Sequence, residues 1–382
     1  MNYFKILLFL ERGNMSMFDL SVEEQQGYLK KLGEAKNDID RGFKQYLCQN
    51  YFTRPKWKIV MLNVAAAFVM PFLLLYYLAK GVFVTRGNEI DAMIEKKGMD
   101  EVVPREVIDK YHPDSSQWGS GASMSLKDIP FLMKLVGRAP HYPYFVMKAW
   151  MHVVLYSDMI RRHNPQVMIQ FGEFSFSSSI LTAYCHSKGV KHVDVMHGEK
   201  LYYMRDAYFH FDEAYVWHQH YVDLFKSLKA EPNQFRIALP PSMHIETDKY
   251  QNPETYADYK YYLAIYDEEQ IKSIVESMAY AKKEGKTVKY RPHPRYSDLS
   301  LLRKYVSEEE IEMPQEVGIL ESVSNLEYAV GSYTTVLTQA YFSGKKVMLD
   351  DVTFNKQYLK LKELNYILTR YSVPLLSEFK NY

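Results

Sequence analysis

Thr287-Val288-Lys289-Tyr290-Arg291-Pro292-His293-Pro294-Arg295 decides how this chain is read. The stretch Thr287 to Tyr290 has strand character. The two prolines stop it, because proline has no N–H to give a ladder and fixes its own φ. The chain must then turn out into a loop carrying Arg291, His293 and Arg295. Open parallel sheets bind ligands at their carboxyl edge. Two guanidiniums and an imidazole gathered there suit an anion, most simply a phosphate. The same residues also fit a surface loop with solvated arginines.

The flanking pattern places this strand in an α/β unit. Tyr261 to Ile265 reads as a strand and Glu269 to Lys283 as a helix. After the Pro-His-Pro loop come helix Leu299 to Tyr305, strand Tyr328 to Val330, helix Thr335 to Ser343 closed by Gly344, and strand Lys346 to Leu349. Strands and helices alternating at this spacing imply a parallel sheet. Between strand and helix lies Gly331-Ser332-Tyr333-Thr334-Thr335. Its hydroxyls cap the helix and leave backbone N–H groups available to an anion.

Upstream, the same alternation appears once more. Val167 to Phe171, Val190 to Met196, Ala214 to Trp217 and Phe235 to Ala238 read as strands. Met151 to Arg162, Ser177 to Lys188 and His220 to Lys229 read as helices, with Gly189 ending the second. A polar stretch from Pro240 to Thr255 separates the two halves. The expected class is α/β: two Rossmann-like halves facing a cleft, preceded by a helical N-terminal region with a hydrophobic segment. The boundaries are 1–86 for that region, 87–245 for the first half and 255–382 for the second.

Two strand ends in the first half carry acid–base groups. Asp194-Val-Met-His-Gly-Glu199 puts His197 at a strand end, with Gly198 permitting a sharp turn. Gln170-Phe-Gly-Glu173 ends the strand before it. A neutral histidine can take a proton from an alcohol near neutral pH. Glu199 either orients His197 or acts as the base itself, and Glu173 is a third candidate. Each of these side chains fits an ordinary structural hydrogen-bonding role as well. Asp350-Asp351 reads as a solvated turn rather than a metal pair.

From Ile59 to Ala79 no residue is charged. Such a length approaches what a bilayer core requires. Arg54, Lys56 and Lys58 precede it, Lys80 and Arg86 follow it, and Trp57, Tyr76 and Tyr77 sit where interfacial aromatics belong. Asn63, Pro71 and the basic flanks at both ends fit an in-plane or hairpin insertion with both ends cytosolic, as well as a span. A buried helix of a soluble domain is the remaining reading. Residues 87–150 read as a connecting region with short helices, with Gln117 to Ser123 as a flexible loop. The short apolar run Tyr3 to Leu10, closed by Glu11 and Arg12, lacks a small-residue cleavage site. Met15 or Met17 is an alternative start.

Composition excludes several classes. The 382 residues exceed one ordinary core, and 47% hydrophobic with 24% charged residues describe a folded protein. A net charge of +1 offers no footprint for nucleic acid. Cys48 and Cys185 have no metal-ligand spacing and exclude a disulfide framework, which suits a reducing compartment.

In order and form, Met196-His197-Gly198, His293-Pro294 and Ser332-Tyr333-Thr334-Thr335 resemble the motifs of GT-B-fold bacterial CDP-glycerol glycerophosphotransferases. More distantly they resemble capsule and lipopolysaccharide transferases that use CMP-activated sugars. The likeness covers roughly residues 165–355. The chain lacks the Trp and Thr-Pro that flank the first histidine in that family, and the aspartate of its Ser-Asp-Tyr-Ser-Ser turn. The resemblance implies a metal-independent transfer with no cofactor. His197 would deprotonate an acceptor hydroxyl, while Arg291, His293, Arg295, Ser332, Thr334 and Thr335 hold the donor phosphates. It implies a nucleotide-activated donor, a polysaccharide or lipid-linked acceptor, and a place at the cytoplasmic face of the bacterial inner membrane. Two rivals remain at this point: a UDP-sugar 2-epimerase, and a non-catalytic partner in envelope-polymer assembly.

Overall fold

The computed structural model describes residues 15–53, 55–95, 101–119 and 121–378; the Tyr3–Leu10 run with Glu11 and Arg12, Arg54 and Ser120 lie outside the described residues. The chain forms two compact units, Met1–His197 with Tyr202–Ala238, and Gly198–Leu201 with Leu239–Tyr382. The expected α/β architecture with parallel sheets and an apolar N-terminal helix is present.

The first unit opens with helices α1 (Val22–Leu32), α2 (Asp38–Tyr51) and α3 (Trp57–Val82). Ser21 caps α1 and exchanges hydrogen bonds with Glu24, a capping box, and Gly33 ends the helix at φ +67°. Then follow β1 (Ala92–Ile94), α4 (Arg105–Tyr111), α5 (Ile129–Arg138), α6 (Pro143–His163), β2 (Val167–Gln170), α7 (Ser177–Ser187), β3 (Lys191–Val195), β4 (Glu213–Val216), α8 (Gln219–Ser227) and β5 (Phe235–Ile237). The strands form one five-stranded parallel sheet in chain order. β2, β3 and β4 are buried throughout or nearly so, as a sheet covered on both faces demands, although β3 carries His192 and Asp194 and β4 begins at Glu213.

Trp150, Phe145 and Val153 on α6 lie in the core with Leu62 and Ala66 of α3, and the Tyr77 and Trp150 rings meet edge to face at 5.7 Å. Burying each such side chain contributes about 1.5–3 kcal/mol. The connecting region holds the expected helices and, in addition, the strand β1. Its glycine loop is packed tightly: a Cβ at Gly121 would lie 2.4 Å from the buried Asp158 carboxylate, which Arg162 also holds at 2.6 Å. The glycine therefore serves internal packing.

The second unit comprises β6 (Ala257–Tyr262), α9 (Glu268–Lys283), β7 (Val288–Arg291), α10 (Leu299–Leu302), α11 (Ile319–Ser324), β8 (Leu326–Gly331), α12 (Thr335–Phe342), β9 (Lys346–Leu349) and α13 (Asn355–Glu363). Its four-stranded parallel sheet has the order β7-β6-β8-β9. The chain runs outward from β6 to β7 and then crosses back to β8. The topological switch point therefore lies between the carboxyl ends of β6 and β8, where open sheets bind ligands. Tyr261, Ile271, Ile274, Tyr290, Val330 and Met348 build the core.

Three expectations need correction. The strand expected at Tyr261 to Ile265 runs instead from Ala257 to Tyr262, with Lys260 buried in it. α6 begins at Pro143, a residue well suited to a first helical turn. Asp350 is fully buried instead of lying in a solvated turn. It accepts from the Tyr261 hydroxyl and from the N–H groups of Val352 and Thr353 at 2.9 and 2.8 Å, while Asp351 accepts from Ser377.

Candidate functional site

The second unit gathers most of the anion-binding candidates at the carboxyl edge of its sheet. β7 stops at Pro292, as the sequence requires. His293 then sits at a bend fixed from two sides. Its N–H donates to Ser297 Oγ at 2.8 Å, and that hydroxyl donates to the Ala264 carbonyl at 2.8 Å, tying this loop to the one after β6. The Arg295 N–H donates to His293 Nδ1 at 3.1 Å, and the Tyr296 ring stacks on the imidazole at 4.5 Å. Because Nδ1 accepts, the neutral ring carries its proton on Nε2, a donor. Burial, with the nearby Arg295 charge, holds the His293 pKa below its ordinary value, so the ring is neutral at pH 7.

The hydroxyl turn lies at the switch point. Thr334 is the N-cap of α12, its hydroxyl accepting from the Val336 N–H at 3.4 Å. Gly331 ends β8 where a Cβ would come within 3.2 Å of the Tyr262 carbonyl, so β6 and β8 approach closely. Arg291, His293, Thr334 and Thr335 together line a cavity of about 510 Å³. Ser332 lines an adjoining cavity of about 240 Å³, walled by Tyr266, Tyr296, Tyr333 and Phe354. Tyr262 and Leu263 are common to both. Arg295 contributes its backbone to the His293 bend but lines neither cavity.

Arg291 has a different task from the one its sequence position suggests. Its guanidinium donates to Glu312 at 2.7 Å and to the Val317 carbonyl at 2.8 Å, and it is nearly buried. Glu312 also accepts from the buried Lys260 ammonium and from the Ser322 hydroxyl. Two cations share this carboxylate, Glu321 also acts on Lys260, and Arg291 itself lines the larger cavity. Burial lowers the Lys260 pKa, and Glu312 pulls against that shift. Lys260 and Glu312 were not singled out in the sequence. Lys260 sits among strand tyrosines, and its partner lies on a distant segment.

The first unit separates the three base candidates. His197 follows the buried Val195 and Met196, is exposed, and turns out at Gly198, whose φ is +75°. Its ring lies 6.4 Å from that of Phe171. Glu173 is only 1% exposed beneath α2, where Gln45 donates to its carbonyl at 3.0 Å. Its carboxylate is thus covered, unlike the exposed His197. Glu199 belongs to the second unit, where the Thr338 hydroxyl of α12 donates to its carboxylate at 2.6 Å.

No family model and no curated protein matches this sequence. Several solved structures are similar. A UDP-GlcNAc 2-epimerase from Methanocaldococcus jannaschii is 11% identical, with 77% of this chain and 92% of that chain covered and a TM-score of 0.45. A variant of the wall teichoic acid polymerase TagF is 9% identical over 85% of this chain and 88% of its own, also at 0.45. The UDP co-structure of S. aureus MnaA is 9% identical over 69% and 79%, at 0.44. Likeness at that level identifies no substrate.

The chemistry therefore rests on the site itself. His293, with a neutral imidazole, and the hydroxyl-bearing Thr334 and Thr335 at the start of α12 line one cavity, with the buried Arg291 on its wall. That combination suits phosphate oxygens. The aromatic walls of the smaller cavity suit a flat ring.

Proposed function

We propose that this chain is a metal-independent transferase. It moves a sugar or polyol phosphate from a nucleotide-activated donor, of CMP or CDP type, to a cell-envelope polysaccharide or lipid-linked acceptor. The observation that carries this reading is the cavity shared by His293, Thr334 and Thr335, with Lys260, Arg291 and Glu312 behind it. The order of the His-Gly, His-Pro and hydroxyl-turn motifs supports the cytidine preference.

On this reading the donor phosphates accept hydrogen bonds from His293 Nε2–H, the Thr334 and Thr335 hydroxyls and the N–H groups opening α12. The nucleotide leaves with the bonding pair, and its growing negative charge meets donors already in place. The acceptor oxygen forms the new bond, and its proton passes to His197.

The test is calorimetric titration of CMP, CDP, UDP and GDP into the purified full-length chain and into His293→Ala. Selective cytidine-nucleotide binding that weakens in His293→Ala supports the proposal. Selective UDP binding turns it toward UDP-sugar transfer or 2-epimerisation. Absence of nucleotide binding overturns it in favour of a non-catalytic partner.

A further inference from the structure

Helix α3 has an unusual combination of surfaces. One side is built into the first unit: Leu62 and Ala66 are buried, and Met70, Leu73, Leu74 and Tyr77 pack on the same core. The opposite side is just as apolar and faces outward. Val60, Val64, Phe68, Phe72, Leu75 and Phe83 are all exposed, Phe68 at 73% and Phe72 at 74%. These positions recur at helical spacing along one stripe. An exposed stripe of this kind marks an interaction surface rather than a solvated face.

The inner side fixes the helix in the fold. The Asn63 side chain accepts from the Tyr144 N–H at 3.1 Å. The Met124 N–H donates to the Tyr77 carbonyl at 3.1 Å, and Arg161 donates to the Gly81 carbonyl at 3.2 Å. A Cβ at Gly81 would lie 1.8 Å from the Met124 carbonyl, so the contact is backbone on backbone. Crossing a bilayer would strip these bonds and surround the packed side with lipid. Lying in the interface keeps them and buries only the outer stripe. Pro71, on the outer side, leaves the Ala67 carbonyl without its helical donor, and water at an interface can supply one.

Charge names the surface. Between Tyr51 and Asn88 the sequence has no Asp or Glu, while exposed Lys56, Lys80 and Arg86 stand near the ends of the stripe and Lys58 is buried. Trp57 and Tyr76 are exposed near its ends, and Lys80 Nζ lies 5.5 Å from the Tyr76 ring centre. Ile59 and Leu62 also line a cavity of about 340 Å³ together with Lys148 and Arg205, adding two cations beside the first turns of the helix. The geometry points to α3 as an in-plane docking element that seats the first unit on an anionic lipid bilayer. This inference does not rest on the donor site.

Two measurements test it. The full-length chain is floated with phosphatidylcholine vesicles and with vesicles also containing phosphatidylglycerol. Binding confined to the anionic vesicles, weakened by salt and reduced at least tenfold in Phe68→Asp/Phe72→Asp, supports the inference. Both positions are exposed, so an unchanged circular dichroism spectrum shows that the variant folds. Equal binding to both vesicles, or to neither, overturns it. So does a solution dimer that the double variant abolishes, since a second copy would then cover the stripe. Topology is read from Lys56→Cys and Val82→Cys in inner-membrane vesicles sealed with the cytosolic face outward; native Cys48 and Cys185 are buried. Reaction of both cysteines with an impermeant maleimide supports in-plane docking, and protection of one shows a span and overturns it.

Discussion

Replacing Glu312 by glutamine tests whether its carboxylate holds the buried cations Lys260 and Arg291 in the second unit. The Glu312 carboxylate accepts from Lys260, Arg291 and Ser322, and the Lys260, Arg291 and Glu312 side chains are 0%, 7% and 4% exposed. Glutamine preserves the shape and one carbonyl oxygen but deletes the cluster's negative charge. Removing one partner of a buried ion pair costs about 3–5 kcal/mol, because the other charge stays desolvated. Here two cations would be stranded together, so the upper part of that range is expected.

Lys260→Met makes the opposite change. It removes one cation, leaves Arg291 and Glu312 as a neutral pair, and fills similar space with an apolar side chain. Glu312 keeps Arg291 as its partner at 2.7 Å, so no charge is left unpaired, and the expected cost is well below the roughly 3–5 kcal/mol of breaking a pair, about 1 kcal/mol or less. The same variant should weaken nucleotide binding, because the cavity loses part of its positive field. Urea unfolding followed by circular dichroism reads the stability. Trp57, Trp118, Trp150 and Trp217 all lie in the first unit, so tryptophan fluorescence in the same titration separates the two units. Equal costs for the two variants, or a cost below about 1 kcal/mol for Glu312→Gln, would refute the charge argument.

Three other outcomes are expected. His192 is fully buried between Thr182 and Tyr156, and its pKa is lowered to about 3 by burial. Below about pH 6.5 the unfolded chain takes up a proton that folded His192 refuses, so first-unit stability falls as pH drops toward 3, by up to about 1.4 kcal/mol per pH unit. Urea midpoints against pH should show a shallower acid limb in His192→Gln. His293 is held below its ordinary pKa in the free protein, and a bound phosphate would favour its charged form. Nucleotide affinity should therefore rise as pH falls below 7, and calorimetry in His293→Gln should lose that share of the rise. His197→Ala should lower turnover by about 10²–10⁴-fold with nucleotide affinity unchanged; full activity there would remove His197 as the base.

Parts of this molecule were plain in the sequence because they depend on local rules. The apolar runs at β2 and β9 and the prolines after Arg291 mark strands and their ends without reference to anything distant. Gly198 and Gly344 adopt the positive φ that their positions suggested. What stayed hidden depends on partners far along the chain. Nothing beside Lys260 in the sequence shows that it is buried against Glu312. Arg291 was read as a ligand donor because nothing nearby shows that Glu312 and Val317 occupy its guanidinium. β1 is too short to carry an alternation. The apolar character of α3 was visible at once, but only packing distinguishes its inner side from its outer stripe, since both are hydrophobic.

The hydrogen bond from Thr338 to Glu199 joins positions 139 residues apart, and residues 198–201 count with the second unit although the chain then returns to the first. During synthesis this short strap leaves the ribosome long before the helix that receives it. The second unit is thus completed last and from two separate pieces of chain. A fragment beginning at Leu239 would lack the strap, and supplying residues 198–201 as a separate peptide is the direct way to ask how much of the unit's order waits for it.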